Sequence, residues 1–291
     1  MFGSRFLCAL AATGGGLLLA TLTASPQNST PDLKAPVDFD LPAEMTDLYG
    51  NYDSAAGLSI FVPPPVPPWN MITGAIIEDT SEPNPPDQKL DVRAFFLSAV
   101  PGSGNKEVLL ATFGVPDSGN FDCHACAPFI GAALFKRGTG GWTREASEPP
   151  FLPFGLVGRH PDAKLVQYGP HRYGIQLESR GAHQGNIFTT VALLLPWNGR
   201  FRMALRTETL ANNTEDESAE CRLSEDGPDK DYRLRLCYAY HRKLKFVPGR
   251  DSQYYDLVVT TSGKDFNESG KVVDISGTMR LRLVDGKYRP D

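Results

Sequence analysis

Short apolar runs separated by turn residues fill the chain from about residue 90 to its end. Several runs alternate apolar and polar residues with a period of two, which is typical of β-strands with one buried face. Near the end of the chain, for example, Met279, Leu281 and Leu283 alternate with Arg280 and Arg282. The pattern therefore predicts a mainly antiparallel all-β fold. The predicted strands are VRAFFLSAV (92–100), EVLLATFGV (107–115), FIGAALFKR (129–137), RYGIQLES (172–179), FTTVALLL (188–195), RFRMALRTET (200–209), YRLRLCYAY (232–240), YYDLVVTT (254–261) and TMRLRLVDG (278–286).

Three segments between residues 106 and 288 share one order of features. Each has a short apolar strand, a turn, a longer excursion, a second strand, a glycine turn and an aromatic residue. The segments begin KEVLLATFG, AKLVQYG and YDLVVTTSG. Such a repeat fits propeller-like stacked hairpins, and a meander sandwich produces the same repeat. Both arrangements remain open from the sequence.

One short helix is predicted before the strands, in DLPAEMTDLYG. Asp40 is a suitable N-cap, Pro42 fits the first turn, and Gly50 can end the helix. Further along, the segment VPPPVPPW (62–69) must be extended, because proline runs favour polyproline II. We interpret it as a Pro-rich arm that packs along the domain.

The N-terminus has the layout of a secretory signal peptide, with Arg5 followed by an apolar run and small residues. We predict a signal peptide over residues 1–25, a flexible leader over 26–39 and a single mainly β domain over 40–291. The protein is then exported, to the periplasm or the extracellular space. An uncleaved N-terminal membrane anchor is the alternative, because the apolar run is about long enough to span a bilayer.

Composition and charge agree with a loop-rich β protein. The chain has 24 prolines and 28 glycines, and its formal net charge is −5. An acidic balance argues against general nucleic-acid binding. After removal of Cys8 with the signal peptide, four cysteines remain, and an even number in an oxidising compartment favours two disulfides. The simplest of the three pairings joins neighbours, Cys123 to Cys126 and Cys221 to Cys237.

The segment FDCHACAPF carries the candidate chemistry, because Cys123, His124 and Cys126 lie within four residues. A structural disulfide is the leading interpretation. A Cys-x-x-Cys pair can also be a reducible redox site, since a neighbouring imidazolium lowers a thiol pKa. A metal site would need a further ligand from a distant loop, and otherwise no cofactor is expected. The histidines that follow in the sequence are His160, His171 and His183.

Pairs of arginines recur on single faces of the predicted strands. If these strands are neighbours, the arginines form a positive patch that His241, Lys243 and Lys245 extend. Its partner would be an anionic glycan, a lipid headgroup or an acidic protein. The alternative is cross-strand pairing with Glu178, Glu208 or Asp256. The arginines of this candidate anionic-ligand face are Arg202, Arg206, Arg233, Arg235, Arg280 and Arg282.

The chain contains no nucleophile elbow, zinc-protease motif, phosphate loop or dinucleotide-binding glycine motif. The sequence therefore favours a non-enzymatic exported protein, a binding or envelope-associated module stabilised by two disulfides. One alternative is a thiol redox or metal-handling protein that uses residues 123–126. A second is a hydrolase whose site is assembled across loops, around His171 and His183.

Overall fold

The computed structural model describes residues 32–62, 89–116, 127–156, 158–183, 186–213, 237–250 and 253–291. Within these ranges the chain forms two antiparallel sheets of stacked hairpins and one short helix. The predicted fold class, mainly antiparallel β with a short N-terminal helix, is confirmed.

The first sheet contains the N-terminal strands in the order β2-β3-β4-β5-β6-β7. Strand β1 pairs in parallel with β4, alongside β3. Helix α1 (Leu41–Tyr49) connects β1 to β2. The strands are β1 (Asp32–Lys34), β2 (Tyr52–Asp53), β3 (Leu58–Phe61), β4 (Leu90–Ala99), β5 (Glu107–Pro116), β6 (Phe129–Gly138) and β7 (Gly141–Pro153).

The second sheet continues as a meander in the order β16-β15-β13-β12-β11-β10-β9-β8, and β14 pairs with the end of β13. Strands β11 and β12 share only three residue pairs, from Leu210↔His241 to Asn212↔Ala239. The strands are β8 (Asp162–Gly169), β9 (Arg172–His183), β10 (Asn186–Trp197), β11 (Arg200–Asn212), β12 (Ala239–Pro248), β13 (Tyr255–Phe266), β14 (Val272–Asp274), β15 (Gly277–Val284) and β16 (Lys287–Pro290).

The two sheets pack face to face through a buried apolar cluster, which we call the central cluster. It joins residues of β4–β7 such as Leu109 and Ile130 to residues of β9–β11 such as Leu177 and Leu194. An outer cluster, which includes Leu193 and Leu257, buries the other face of β8–β11 against β12, β13, β15 and β16. Of the two predicted arrangements, two meander sheets packed in this way match the meander sandwich.

Helix α1 covers the outer face of the first sheet. The Asp40 side chain accepts a hydrogen bond from the backbone N–H of Ala43 at 3.1 Å, and Pro42 lies in the first turn. Met45 and Tyr49 are buried against β4, β5 and β6. The helix predicted from the capping residues is confirmed, and burial of its apolar face against the sheet explains why nine residues suffice.

The flexible leader predicted over residues 26–39 is wrong for its second half. Residues 32–34 form β1, and Phe39 is buried at 5.3 Å from the ring of Phe135 and 5.2 Å from that of Trp142. The ring contacts of Phe39, the pairing of β1 with β4 and the hydrogen bond from Trp142 Nε1 to the Asp38 carbonyl together hold this segment on the first sheet. The signal peptide, residues 26–31 and positions 63–69 of the Pro-rich arm lie outside the described residues and stay predictions. Across the described ranges, no helix is long and apolar enough to cross a membrane.

Candidate functional site

Exposed cations lie on the outward face of the part of the second sheet that folds over strands β8–β11. Strands β12, β13, β15 and β16 are neighbours, and their inward side chains, such as Leu257 and Leu281, belong to the outer cluster. Because side chains alternate along a strand, the intervening residues point outward. We call this outward surface the cationic face; its residues are Lys243, Lys245, Arg280, Arg282 and Arg289.

The register of the strands sets the spacing of these charges. Lys245 lies opposite Val258, which in turn lies opposite Arg280, so the Cα atoms of Lys245 and Arg280 are about 10 Å apart across two strand spacings. Lys243 follows the same pattern through Thr260 to Thr278, whose hydroxyl oxygens are 3.5 Å apart. Along each strand, residues two positions apart are separated by about 7 Å. The face is therefore a regular grid of cations and hydroxyls.

Two carboxylates neutralise part of this grid. Arg280 Nε donates to Asp256 Oδ2 at 2.6 Å, and its Nη2 donates to the carbonyl of Pro248. Arg282 pairs with Asp291 at 2.7 Å. Among the described residues, no carboxylate lies within ion-pair distance of Lys243 or Lys245, both of which are exposed. The Arg280–Asp256 pair is one of the cross-strand pairings that the sequence offered as the alternative.

Arg202 and Arg206 do not join the cationic face, because both lie on β11 in the layer beneath it. They also do not share one side of their strand. Arg202 lies beside the Asp285 carbonyl, and the Arg206 guanidinium lies 5.6 Å from the ring of Phe154 in the central cluster. A register shift opposite Leu193/Leu194 interrupts the alternation between them. The prediction of a shared face is therefore wrong for this pair, and Arg233 and Arg235 lie outside the described residues.

The cysteine motif cannot be located, because Cys123, His124 and Cys126 lie outside the described residues, as does Cys221. Cys237 is disulfide-bonded, and its predicted pairing with Cys221 stays a prediction. No group of three or more metal-ligating side chains occurs in the part of the chain that the structure describes. The redox and metal interpretations of residues 123–126 are therefore untested.

The candidate histidines occupy separate places. His171 forms the turn before β9 and His183 ends that strand, so the strand separates them by about 35 Å. A hydrolytic site shared by these two residues is therefore excluded. His160 precedes β8 and stacks on Phe95, with ring centroids 4.8 Å apart. His160 and His171 lie at opposite ends of β8, about 26 Å apart.

A cleft of about 360 Å³ opens between the two sheets at the end that carries His171. The first sheet contributes the ends of β4–β7, and the second contributes the β8–β9 and β10–β11 turns. Carboxylates, cations and aromatic rings line it, in a volume typical of small-ligand sites. The lining residues that matter below are Glu107, Lys136, Glu145, His171, Arg172, Tyr173, Trp197 and Asn198.

Two tight hairpin turns form the wall on the side of the second sheet. His171 follows Pro170 in the β8–β9 turn with φ of 56°, and Asn198 has φ of 51° before Gly199 in the β10–β11 turn. Such left-handed conformations are uncommon for residues with a Cβ. Asn-Gly is the preferred pair for a two-residue hairpin turn, whereas histidine at a left-handed position is unusual. The two turns place the His171 and Asn198 side chains on the rim of the cleft.

An aromatic cluster supports the same wall from behind. The ring of Tyr254 lies 5.4 Å from Trp197 and 6.2 Å from Tyr168, and the Arg172 guanidinium lies 5.1 Å from its centroid. Tyr168 donates to the Pro196 carbonyl at 3.2 Å, which joins the two turns. Burial raises the pKa of Tyr168 to about 12, and the Arg172 charge partly opposes this rise. Tyr254 therefore packs against residues next to both turns, Arg172 after the β8–β9 turn and Trp197 before the β10–β11 turn.

Of the residues around the cleft, the sequence singled out only His171. The others are spread over four hairpins, and no spacing in the sequence shows that these hairpin ends meet. The available signals were the turn pairs Pro170–His171 and Asn198–Gly199, each beside an aromatic residue.

No family model matches the chain, and no curated protein or solved structure is significantly similar to it.

Proposed function

We propose that the protein is an exported, non-enzymatic binding module whose cationic face holds an anionic polysaccharide. The observation that carries this proposal is the grid of Lys243, Lys245, Arg280, Arg282 and Arg289 on one face of a chain with net charge −5. Cations gathered on one face of an acidic protein attract a polyanion while the rest of the surface repels it.

The regular spacing favours a polymer over a single headgroup. A polysaccharide with an anionic group on each repeat can contact several cations at once, and their contributions act together through effective concentration. Thr260 and Thr278 place hydroxyls between the charges, and these can bond to sugar hydroxyls. Binding to a membrane surface also uses exposed aromatic or long apolar side chains that insert between lipids. The apolar residue at the centre of the grid, Val258, is short and half-buried, so it does not favour that partner.

Retention on immobilised alginate and heparin tests the proposal. We expect K243S/K245S to bind about fivefold more weakly than the parent, since exposed charge contacts contribute a few tenths of a kcal/mol to 1 kcal/mol each. The matched control is K89S/K106S, which removes the same two charges from exposed positions off the face.

Equal weakening by the two double variants would mean that net charge, not the face, determines binding. Binding to vesicles with anionic lipid but to neither polysaccharide would assign the face to a membrane surface and overturn the proposal. Retention should also fall as ionic strength rises, because exposed charges are screened within about 8 Å at physiological salt.

A further inference from the structure

The charges that line the cleft between the sheets balance one another. Glu107 and Glu145 supply two carboxylates, and Lys136 and Arg172 supply two cations, so the acidic and basic side chains of the lining sum to zero. Lys136 Nζ lies 3.6 Å from Glu107 Oε1, so these two charges already neutralise each other. A ligand with a net charge finds no complementary excess here, in contrast to the cationic face.

The remaining chemistry of the lining consists of planar polar groups beside aromatic rings. Glu145 accepts hydrogen bonds, Arg172 donates them, and the Asn198 amide does both. Tyr173 and Trp197 are half-buried, and they offer apolar ring surface next to these groups. A sugar has hydroxyls that both donate and accept, together with apolar C–H surface on its ring.

We infer that this cleft binds a neutral saccharide unit. The volume is within the range of small-ligand sites, and the two turns that carry His171 and Asn198 join the hydrogen-bonded hairpins β8–β9 and β10–β11. Sparsely populated backbone angles occur at ligand-binding sites, and His171, an unusual residue at a left-handed position, has its φ of 56° on the rim of this cleft. The site does not depend on the cationic face, which lies on different strands.

An NMR titration of the ¹⁵N-labelled protein tests this inference. The probes are glucose, N-acetylglucosamine, maltose and cellobiose, each compared with the charged relatives glucuronate and glucosamine. The chain has three tryptophans, and W197F identifies the indole N–H signal of Trp197. We expect that signal to shift with at least one neutral sugar, with a Kd in the millimolar range.

Two variants remove lining groups without disturbing the fold. H171G removes the imidazole and suits the left-handed backbone at this position, and E145A removes an exposed carboxylate. Each should weaken binding about three- to tenfold, the effect of one hydrogen bond. The control N51G makes the same kind of change at Asn51, a left-handed position after α1 and away from the cleft, and should not alter binding.

Absence of a Trp197 shift with every neutral sugar would overturn the inference. Tighter binding of glucuronate or glucosamine than of glucose would overturn the charge argument on which it rests. Unchanged affinity in both H171G and E145A would place the sugar elsewhere. The two proposals can fail separately, because K243S/K245S should weaken polysaccharide retention about fivefold and keep the Trp197 shift.

Discussion

Arg200 on β11 and Glu148 on β7 join the two sheets by a bidentate ion pair. Arg200 Nε donates to Glu148 Oε2 at 2.7 Å, and Nη2 donates to the second carboxylate oxygen. The Glu148 side chain is 8% exposed, whereas that of Arg200 is 64% exposed. Hydrogen bonding to the carboxylate raises the pKa of the Arg200 guanidinium above its ordinary value. The arginine thus closes over a nearly buried carboxylate beside the cleft turn Asn198–Gly199.

Truncation of Arg200 should destabilise the protein more than truncation of an exposed arginine in a similar pair. R200A leaves the Glu148 carboxylate with little access to water, and we expect a loss of about 1–2 kcal/mol in the free energy of unfolding. Because Arg200 itself is exposed, we expect this loss in unfolding free energy to be at the lower end of the range for breaking an ion pair with a buried member. The control R180A breaks the pair with Glu178, where Arg180 is 74% and Glu178 is 25% exposed; it should cost less than about 0.5 kcal/mol. Urea unfolding measures both, and equal losses would contradict the role of burial.

The pair between Asp256 and Arg280 should have opposite effects on stability and on polyanion binding. Asp256 is buried, and D256N keeps its shape while removing the charge that faces Arg280. The variant should lose about 1–2 kcal/mol of unfolding free energy, because the charge-assisted hydrogen bond weakens. It should also elute from alginate at higher salt than the parent, because no carboxylate then offsets the positive charge of Arg280, which is 47% exposed. Weaker retention of folded D256N would argue against the cationic face as the binding surface.

Stability at alkaline pH should depend on buried tyrosines. Burial raises the pKa of Tyr49 and raises that of Tyr168 to about 12, from an ordinary value near 10. A raised pKa means that the folded state keeps a proton that the unfolded state loses. The stabilisation is therefore fully present below about pH 10 and is lost as the pH rises toward 12, by about 1.4 kcal/mol per pH unit for each such group.

Urea unfolding at a series of pH values from 9 to 11.5 measures this loss. Y168F should show a shallower decline than the parent, because one of the titrating groups is gone. Y168F also loses the hydrogen bond to Pro196, which lowers the unfolding free energy equally at every pH in the series. The prediction is therefore tested by the slope of unfolding free energy against pH, not by its absolute level. A parent protein whose stability is flat between pH 10 and 11.5 would contradict the prediction.

The parts of the structure that could be predicted from the sequence are those with a local cause. Helix α1 follows from Asp40, Pro42 and Gly50, and the long strands follow from their alternation. The sequence placed Arg280 and Arg282 beside Lys243 and Lys245 only on the condition that their strands are neighbours. The alternation within a strand does not show which hairpins pair or in which register.

The parts that could not be predicted depend on single residues or on long-range packing. One bulge on β11 moves Arg206 away from the side of Arg202, and no pattern in the sequence marks it. Phe39 orders a segment whose composition is typical of a flexible leader. The cleft forms where the ends of four hairpins meet, so its residues share no spacing along the chain.

The buried hydroxyls of Tyr49 and Thr112 are 2.7 Å apart, and Gly131 leaves room for both. A Cβ at residue 131 would lie 2.7 Å from Thr112 Oγ1 and 2.8 Å from the Tyr49 hydroxyl oxygen. G131A should therefore cost about 1–3 kcal/mol of unfolding free energy, as expected for overpacking. The matched control is G140A, because no atom lies within 4 Å of a Cβ built at Gly140.

The double variant Y49F/G131A separates the clash from other effects of the alanine. Y49F removes one of the two oxygen atoms that the new methyl group would meet, at the cost of the Thr112 hydrogen bond. G131A should then cost less in the Y49F background than in the parent, a coupling that a double-mutant cycle on urea unfolding measures. Strictly additive losses would show that helix α1 does not press the Tyr49 hydroxyl against Gly131, and so would contradict the packing of α1 on β5 and β6 that the structure describes.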